Sequence, residues 1–263
     1  MVNRKVNSTM KIPALFSPLG KSIVVASLLL SSVAVVAAPV PMKDDISYQR
    51  ARDARDAQMA QNANPSPLNQ QDINTMAAFN QHLKDTMPEP GIRVGEQAPD
   101  FTLTNAFGKK VNLYQELKKG PVVLVFYRGS WCPYCNLHLY VLNKAKPQFD
   151  QYNAQIIAVT PQQPDRSKAQ IEKDGYPFEV LSDTTSKVMK DYQLYFQLTP
   201  ELLTVYKKFN LDIESYNGIG RTVLPVPGSF VIDQNGKVIA MQAQVDYKAR
   251  MEPTDILAAL AKL

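Results

Sequence analysis

Both cysteines of this 263-residue chain lie in the stretch Val122-Val123-Leu124-Val125-Phe126-Tyr127-Arg128-Gly129-Ser130-Trp131-Cys132-Pro133-Tyr134-Cys135. Its first six residues are apolar and rich in β-branched and aromatic side chains, which predicts a buried strand. Apolar residues then recur at helical spacing as far as Phe149, which predicts an amphipathic helix that begins near Pro133. The stretch therefore predicts a strand that leads into a helix with a Cys-x-x-Cys pair at its start.

The position of the pair predicts redox chemistry. Cys132 precedes Pro133, a residue type favoured in the first helical turn, so Cys132 lies at the predicted helix N-terminus. There the unpaired backbone N–H groups and the positive end of the helix dipole favour a thiolate. Cys135 follows three residues later, on the same helix face and within disulfide reach. The helix position therefore favours Cys132 as the attacking thiol and Cys135 as the resolving one.

Three other interpretations of the pair are weaker. A zinc site needs about four ligands, and besides the two thiols the chain has only His82 and His138. A structural disulfide across so short a loop would add little stability. Inert core thiols do not suit a helix N-terminus. We expect no metal ion and no other cofactor.

The N-terminal residues predict export. An uncharged run spans residues 22–40, no acidic residue precedes Asp44, and the flank before the run carries four basic residues, Arg4, Lys5, Lys11 and Lys21. A basic flank, an apolar stretch and small residues near 37 are typical of a secretory signal, here residues 1–37. The alternative is an uncleaved inner-membrane anchor at residues 22–40, because the run approaches the roughly 20 residues needed to span a bilayer. We expect an exported, periplasmic protein.

Charge and length limit the remaining possibilities. The net charge of +5 comes from 29 basic and 24 acidic residues, and four of the basic residues precede residue 38. The rest of the chain is close to neutral, which excludes a nucleic-acid-binding surface of the usual kind. About 225 residues remain, enough for one domain with an extension. We assign residues 38–90 to a helical extension or linker and residues 91–263 to the main domain.

The extension contains two segments of different character. Residues 44–63 are charged and poor in large apolar residues, which predicts a solvated helix or a linker without a catalytic role. Residues 70–86 predict a second helix, whose apolar stripe should pack on the main domain: Ile73, Met76, Phe79, Leu83 and Met87. The Pro-rich segment 87–91 then interrupts the chain.

The main domain alternates strands and helices. Predicted strands cover 155–160 and 178–181, and a hairpin joins 230–233 to 238–241 through an Asn-Gly turn. Predicted helices cover 164–174, 185–195, 199–209 and 253–263. This order predicts an α/β fold with a central mixed sheet flanked by helices.

Three motifs carry a family resemblance: Gly95-Glu96-Gln97-Ala98-Pro99-Asp100-Phe101-Thr102-Leu103, the segment Phe126–Cys135, and Leu224-Pro225-Val226-Pro227-Gly228-Ser229-Phe230-Val231-Ile232-Asp233. With the tail 246–253, they resemble the peroxiredoxin-like branch of the thioredoxin-fold superfamily, the alkyl hydroperoxide reductase and thiol-specific antioxidant (AhpC/TSA) group. The resemblance covers roughly residues 91–263. It implies a thioredoxin-like fold and thiol-dependent reduction of peroxides or disulfides.

The chain departs from this family at two places. Peroxiredoxin spacing places the peroxidatic cysteine at Cys135, whereas thioredoxin spacing makes Cys132 the nucleophile. The arginine that peroxiredoxins carry before the Phe-Val-Ile-Asp-like strand is replaced by Pro227, which matches the cis-proline of thioredoxins. Arg128 can take over the role of that arginine; the alternative is a surface arginine paired with a carboxylate.

Candidate substrate-binding residues surround the catalytic pair Cys132 and Cys135: Arg128, Trp131, Pro133, Tyr134 and Pro227. Trp131 and Tyr127 are expected to wall the site. Tyr134 completes a Cys-Pro-Tyr-Cys motif like that of glutaredoxins, which suggests glutathione chemistry. For His138, an exposed helix face is favoured over a role as a proton shuttle.

Two function classes follow. The first is a thiol peroxidase, in which one cysteine becomes a sulfenic acid and condenses with the other to a disulfide. The second is a thiol–disulfide oxidoreductase acting on protein disulfides. Either would use a thiol reductant, a thioredoxin-like protein or glutathione, and the sequence leaves the oligomeric state open.

Overall fold

A seven-stranded mixed sheet forms the centre of the computed structural model, which describes residues 46–62 and 66–263. The strands, in chain order, are β1 (Thr102–Asn105), β2 (Lys110–Asn112), β3 (Val122–Phe126), β4 (Gln155–Thr160), β5 (Glu179–Ser182), β6 (Tyr195–Gln197), β7 (Val223–Pro225), β8 (Gly228–Ile232) and β9 (Val238–Ala243). The large sheet has the order β2-β1-β5-β4-β3-β8-β9, and β6 pairs with β7 separately. β3, β4 and β5 are parallel, whereas the remaining pairs of the large sheet are antiparallel.

Helices cover both faces of this sheet. They are α1 (Tyr48–Gln61), α2 (Gln70–Thr86), α3 (Leu113–Leu117), α4 (Pro133–Phe149), α5 (Pro164–Asp174), α6 (Lys187–Asp191), α7 (Pro200–Lys207), α8 (Glu214–Asn217) and α9 (Pro253–Leu260). The predicted α/β architecture is therefore confirmed, and it is thioredoxin-like.

Strand β3 connects the two halves of the core. Its five residues are all buried, and successive side chains point to opposite faces of the sheet. Leu124 and Phe126 join one apolar cluster, and Val123 and Val125 join a second one that contains the apolar face of α4. Each fully buried side chain of this kind contributes about 1.5–3 kcal/mol. The strand is thus anchored from both sides where the chain enters the cysteine loop.

The predicted elements of the main domain differ from the structure in a few places. The helix predicted for 185–195 is only α6, and Tyr195 already begins β6. The reason is Gln193, whose backbone is left-handed with φ 55° and cannot continue a helix. The hairpin of β1 and β2 was not predicted, because these short strands bear few apolar residues.

Helix α2 packs on α7 through part of its predicted stripe. Phe79 and Leu83 are buried among residues of α7, whereas Ile73 is 48% exposed. Its first turn is fixed by a reciprocal cap between Asn69 and Asp72. The Asp72 carboxylate also forms an ion pair with the Lys208 ammonium group, at 2.6 Å.

Helix α1 packs on α4. The predicted solvated segment is helical, but Tyr48 is only 1% exposed, and its hydroxyl donates to the backbone carbonyl of Lys248 at 2.7 Å. The Glu252 carboxylate accepts hydrogen bonds from the backbone N–H groups of Tyr48 and Gln49. A carboxylate at a helix N-terminus is stabilising. The segment before α9 therefore stabilises the start of α1.

The predicted signal or anchor at residues 1–40 lies outside the described residues. Within the described ranges, no helix is both long and apolar enough to cross a membrane. The boundary predicted near residue 90 stays a prediction.

A pair of substitutions tests the packing of α2. Phe79→Ala should lower the free energy of unfolding by about 3 kcal/mol, because it leaves a cavity between α2 and α7. Ile73→Ala on the exposed face of the same helix should change it by less than about 0.5 kcal/mol. Urea unfolding of both variants measures the difference. Equal effects of the two substitutions would contradict this packing.

Candidate redox site

Cys132 ends the loop after β3 and caps helix α4. Its backbone is extended, with φ −88° and ψ 108°, and Pro133 is the first helical residue, as predicted. Cys135 lies in the first turn, with its Cα 5.2 Å from that of Cys132, and a disulfide joins the two sulfurs. The strand, loop and helix of the sequence motif thus place the pair at one end of the central strand.

The disulfide is enclosed by protein. Cys132 is 1% exposed and Cys135 is fully buried, within the apolar cluster that Tyr134, Trp131 and Tyr247 also join. Thiol chemistry needs access to a sulfur atom. A small molecule can reach such a buried site more easily than a folded partner protein can bring its own disulfide into it.

Arg250 contacts the sulfur of Cys135. Its Nη2 lies 3.3 Å from Cys135 Sγ, and its Nη1 donates to the backbone carbonyls of Tyr247 and Ala249. Burial lowers the pKa of Arg250 to about 10, so the guanidinium stays positively charged at neutral pH. Arg250 lies in the tail segment 246–253 that carries part of the resemblance, but no local sequence pattern predicts its contact with Cys135.

Arg128 is a second buried cation at the site. Arg128 is only 6% exposed. Its guanidinium carbon lies 4.9 Å from the Trp131 ring centroid and 4.7 Å from the Tyr247 ring centroid. It also donates a hydrogen bond to the Tyr206 hydroxyl. The alternative of a surface arginine paired with a carboxylate is therefore wrong, because aromatic rings and not water surround this side chain.

Polar side chains hold the loop between β3 and α4. The side-chain carbonyl of Gln162 accepts from the Ser130 backbone N–H at 3.0 Å, and the Asn136 amide donates to the Ser130 carbonyl at 2.7 Å. Gly129 has φ 148°, and a Cβ there would lie 2.5 Å from the indole nitrogen of Trp131. Glycine is therefore required beside the indole, and the loop geometry is tightly specified.

Tyr134, between the two cysteines, is tied to helix α1. Its hydroxyl donates to Asp56 at 2.6 Å, and the Tyr247 ring packs edge-on against it at 5.7 Å between centroids. Burial, and then the hydrogen bond to Asp56, raise the pKa of Tyr134. The segment expected to have no catalytic role thus contacts the Cys-Pro-Tyr-Cys motif directly.

His138 is buried, contrary to the exposed position favoured from the sequence. Its Nε2 lies 3.2 Å from the carbonyl oxygen of Met251, and the Tyr48 ring packs edge-on against it. Burial, aided by the charge of Arg250, lowers the pKa of His138 to about 3. The imidazole is therefore neutral near pH 7. The sequence prediction was wrong because α1 and the segment before α9 cover this face of α4.

Pro227 lies across a small cavity from Arg128. The cavity has a volume of about 40 Å³, and Arg128, Tyr206, Pro227 and Tyr247 line it together with apolar residues of α2 and α7. Trp131 packs between the two clusters beside it. Pro133 is exposed. The site thus places Trp131 and Tyr134 in the apolar cluster of the disulfide, Arg128 against Trp131, and Pro227 in the cavity beside Arg128. A cis bond before Pro227 and the substrate-binding roles of these residues stay predictions.

Known proteins are similar to this chain over the region that contains the cysteine pair. The model of the AhpC/TSA family matches residues 94–241. A thiol-disulfide oxidoreductase ResA from Bacillus thuringiensis (strain Al Hakam) is 27% identical over 162 residues, which are 61% of this chain and 76% of the relative. The chloroplastic peroxiredoxin Q of Populus jackii is 29% identical over 101 residues, which are 38% of this chain and 47% of the relative.

Solved structures share the fold. The peroxidoxin BcpB from Mycobacterium tuberculosis superposes with a TM-score of 0.52 at 20% identity, over 65% of this chain and 98% of that protein. A thiol peroxidase from Chromobacterium violaceum has a TM-score of 0.51 at 15% identity, over 65% of this chain and 88% of that protein. At this identity, the similarity concerns the fold alone.

The buried His138 predicts a pH dependence of stability. Its pKa falls from an ordinary 6.5 to about 3 on folding, so between these values the unfolded chain binds a proton that the folded chain does not. Stability from this group is present above pH 6.5 and is lost as the pH falls, by at most about 1.4 kcal/mol per pH unit. His138→Gln should remove this component in urea unfolding between pH 7 and 4.

The exposed His82 provides the matched control. His82→Gln should keep the wild-type pH profile, because this side chain lies on the solvent side of α2. If His138→Gln also kept the wild-type slope, the burial of a neutral imidazole would be refuted.

Proposed function

We propose, because this chain belongs to the AhpC/TSA family, that its cysteine pair reduces hydroperoxides and cycles between dithiol and disulfide. The chain is a thiol oxidoreductase, and the family resemblance of the sequence is confirmed. Peroxide as the oxidant is the narrower claim, and it depends on the surroundings of Cys135.

The contact between Arg250 and Cys135 carries the proposal. A guanidinium 3.3 Å from a buried sulfur favours the thiolate, the nucleophilic form of cysteine. The same positive charge can polarise a peroxide oxygen as negative charge develops on it. No arginine stands at position 227, where peroxiredoxins carry theirs, and Arg250, in the segment between β9 and α9, supplies a guanidinium instead.

The reaction balances with the groups present. The thiolate attacks one peroxide oxygen, the O–O bond breaks, and the leaving alkoxide or hydroxide takes up a proton to give an alcohol or water. The cysteine is now a sulfenic acid. The thiol of the second cysteine attacks its sulfur, releases water and forms the disulfide found between Cys132 and Cys135.

Two features of the site favour different cysteines for the attack. The helix N-terminus favours Cys132, which stays the prediction from sequence. The guanidinium contact favours Cys135, the position that peroxiredoxin spacing also selects. We therefore assign the attack on peroxide to Cys135 and the resolving role to Cys132.

The burial of the cysteine pair also favours a small oxidant. The space beside Arg128 and Pro227 measures about 40 Å³, and neither cysteine lines it. Because both cysteines are buried, a protein disulfide would reach them only after the covering segments move.

Thiol–disulfide exchange is the second candidate, and two observations favour it. The first is the similarity to ResA, a thiol-disulfide oxidoreductase, over most of that protein. The second is Pro227, which lines a cavity beside the cysteine loop as the substrate-facing proline of thioredoxins does. In that reaction Cys132, at the helix N-terminus, would attack the partner disulfide.

Export and the reductant complete the proposal. The basic flank and the uncharged run of residues 22–40 support a periplasmic location, either free or anchored to the inner membrane. The disulfide would be reopened by a thiol reductant, a thioredoxin-like protein or glutathione.

Single-turnover peroxide consumption tests the proposed function. The reduced protein should consume one equivalent of hydrogen peroxide and gain the disulfide. Cys132→Ser should still consume peroxide and accumulate a sulfenic acid on Cys135, detected by mass after dimedone labelling. Cys135→Ser should lose at least about 100-fold in rate, because the thiolate beside Arg250 is gone.

Two outcomes would decide against it. If Cys135→Ser kept the fast reaction and the sulfenic acid formed on Cys132, the helix-terminus assignment would be correct. If the reduced wild type consumed no peroxide but reduced the disulfides of insulin, thiol–disulfide exchange would be the activity.

A further inference from the structure

Two buried arginines of the site have no carboxylate partner: Arg250, which contacts the Cys135 sulfur, and Arg128, which lies in the loop before Cys132. Arg128 and Arg250 are 6% and 7% exposed, and within the described ranges neither forms an ion pair with an acidic side chain. The Nε atom of each is buried and has no hydrogen-bond partner. The site therefore carries positive charge that the protein itself does not neutralise.

The neighbouring groups do not supply the missing negative charge. Facing Arg250 are Tyr48 of α1, His138 of α4, and Asp246 and Tyr247 of the segment before α9. Burial raises the pKa of Tyr48 to about 12, so it is neutral, as is His138. Asp246 is exposed, so solvent screens its charge, and its electrostatic effect on Arg250 is smaller than that of burial.

The redox state of the cysteines changes this balance. A disulfide is neutral, so the oxidised site holds buried cations without a counter-charge, which is costly. Reduction frees the Cys135 sulfur, which can then ionise to a thiolate. This sulfur lies 3.3 Å from Arg250 Nη2. The folded protein thus compensates the buried charge in the reduced state alone.

We propose that Arg128 and Arg250 make the reduced state the more stable form of the folded protein, so that the disulfide accepts electrons from thiols as weakly reducing as glutathione. This inference rests on the redox cycling of the cysteine pair proposed above, but not on peroxide as the oxidant. It sets the class of reductant that serves this site.

The reductive step balances as follows. A donor thiolate attacks Cys132 Sγ, the S–S bond breaks, and its electron pair leaves on Cys135 as a thiolate beside Arg250. A second donor thiol attacks the mixed disulfide, which releases the oxidised donor and leaves Cys132 as a thiol. Two donor thiols give one donor disulfide and two electrons, and one proton is released because Cys135 stays ionised.

Chemical unfolding of the two redox forms tests the inference. In a thermodynamic cycle, a disulfide that is more oxidising in the folded than in the unfolded protein makes the reduced form more resistant to unfolding. The wild type should therefore show a higher guanidinium chloride midpoint when reduced than when oxidised. Most disulfides have the opposite effect, so the sign of the difference is informative.

Substitutions identify the arginine as the cause. Arg250→Met should lower the equilibrium constant for oxidation of glutathione by the protein at least tenfold, equivalent to about 30 mV. Arg250→Lys should retain most of the wild-type constant, because it keeps the charge. Arg221 is the matched control: it is half-buried and donates to the carbonyl of Asp183 and the hydroxyl of Ser186. Arg221→Met should leave the constant unchanged within twofold.

The inference is overturned by either of two results. One is a wild type whose oxidised form unfolds at the higher midpoint. The other is an Arg250→Met variant whose equilibrium constant with glutathione equals that of the wild type. If Arg250→Met does not fold, the wild-type midpoints and the Arg250→Lys constant decide alone. Since none of these measurements uses peroxide, a protein that fails to reduce peroxide can still show the stable reduced form.

Discussion

The burial of Arg250 against the Cys135 sulfur is the interaction around which the site is organised. A guanidinium removed from water needs acceptors and a counter-charge. The carbonyls of Tyr247 and Ala249 supply acceptors, which requires the segment between β9 and α9 to fold back over the cysteines. That segment is in turn held by Tyr48 and by the cap that Glu252 forms on α1.

The N-terminal helices therefore belong to the site and not only to an extension. Helix α1 reaches Tyr134 through Asp56 and covers His138 through Tyr48. Helix α2 supplies apolar residues to the cavity beside Arg128 and Pro227. Helix α1 thus contacts the first turns of α4, which carry the Cys-x-x-Cys pair, and α2 contributes to the neighbouring cavity.

In the proposed cycle, the charge of Arg250 acts in both directions. During oxidation it would favour the Cys135 thiolate as the nucleophile, and during reduction it would favour the same sulfur as the leaving group. The cost is an oxidised state in which two guanidiniums remain buried and unpaired.

The sequence by itself determined the central strand, the start of α4 at Pro133, the position of the cysteine pair and helices α2 and α5, because these depend on local periodicity and on residue types with strong positional preferences. It also identified Arg128, Trp131 and Tyr134 as neighbours of the pair, since they are adjacent in the chain.

Only the tertiary structure decided that Arg250 contacts Cys135, 115 residues away in the chain, and that Asp56 reaches Tyr134. It also decided that His138 is buried, because Tyr48 of α1 and the backbone carbonyl of Met251 cover this face of α4. These contacts join segments that are distant in sequence, and no local pattern encodes them: they arise when the sheet brings the end of β3 and the segment after β9 to the same edge and α1 closes over both.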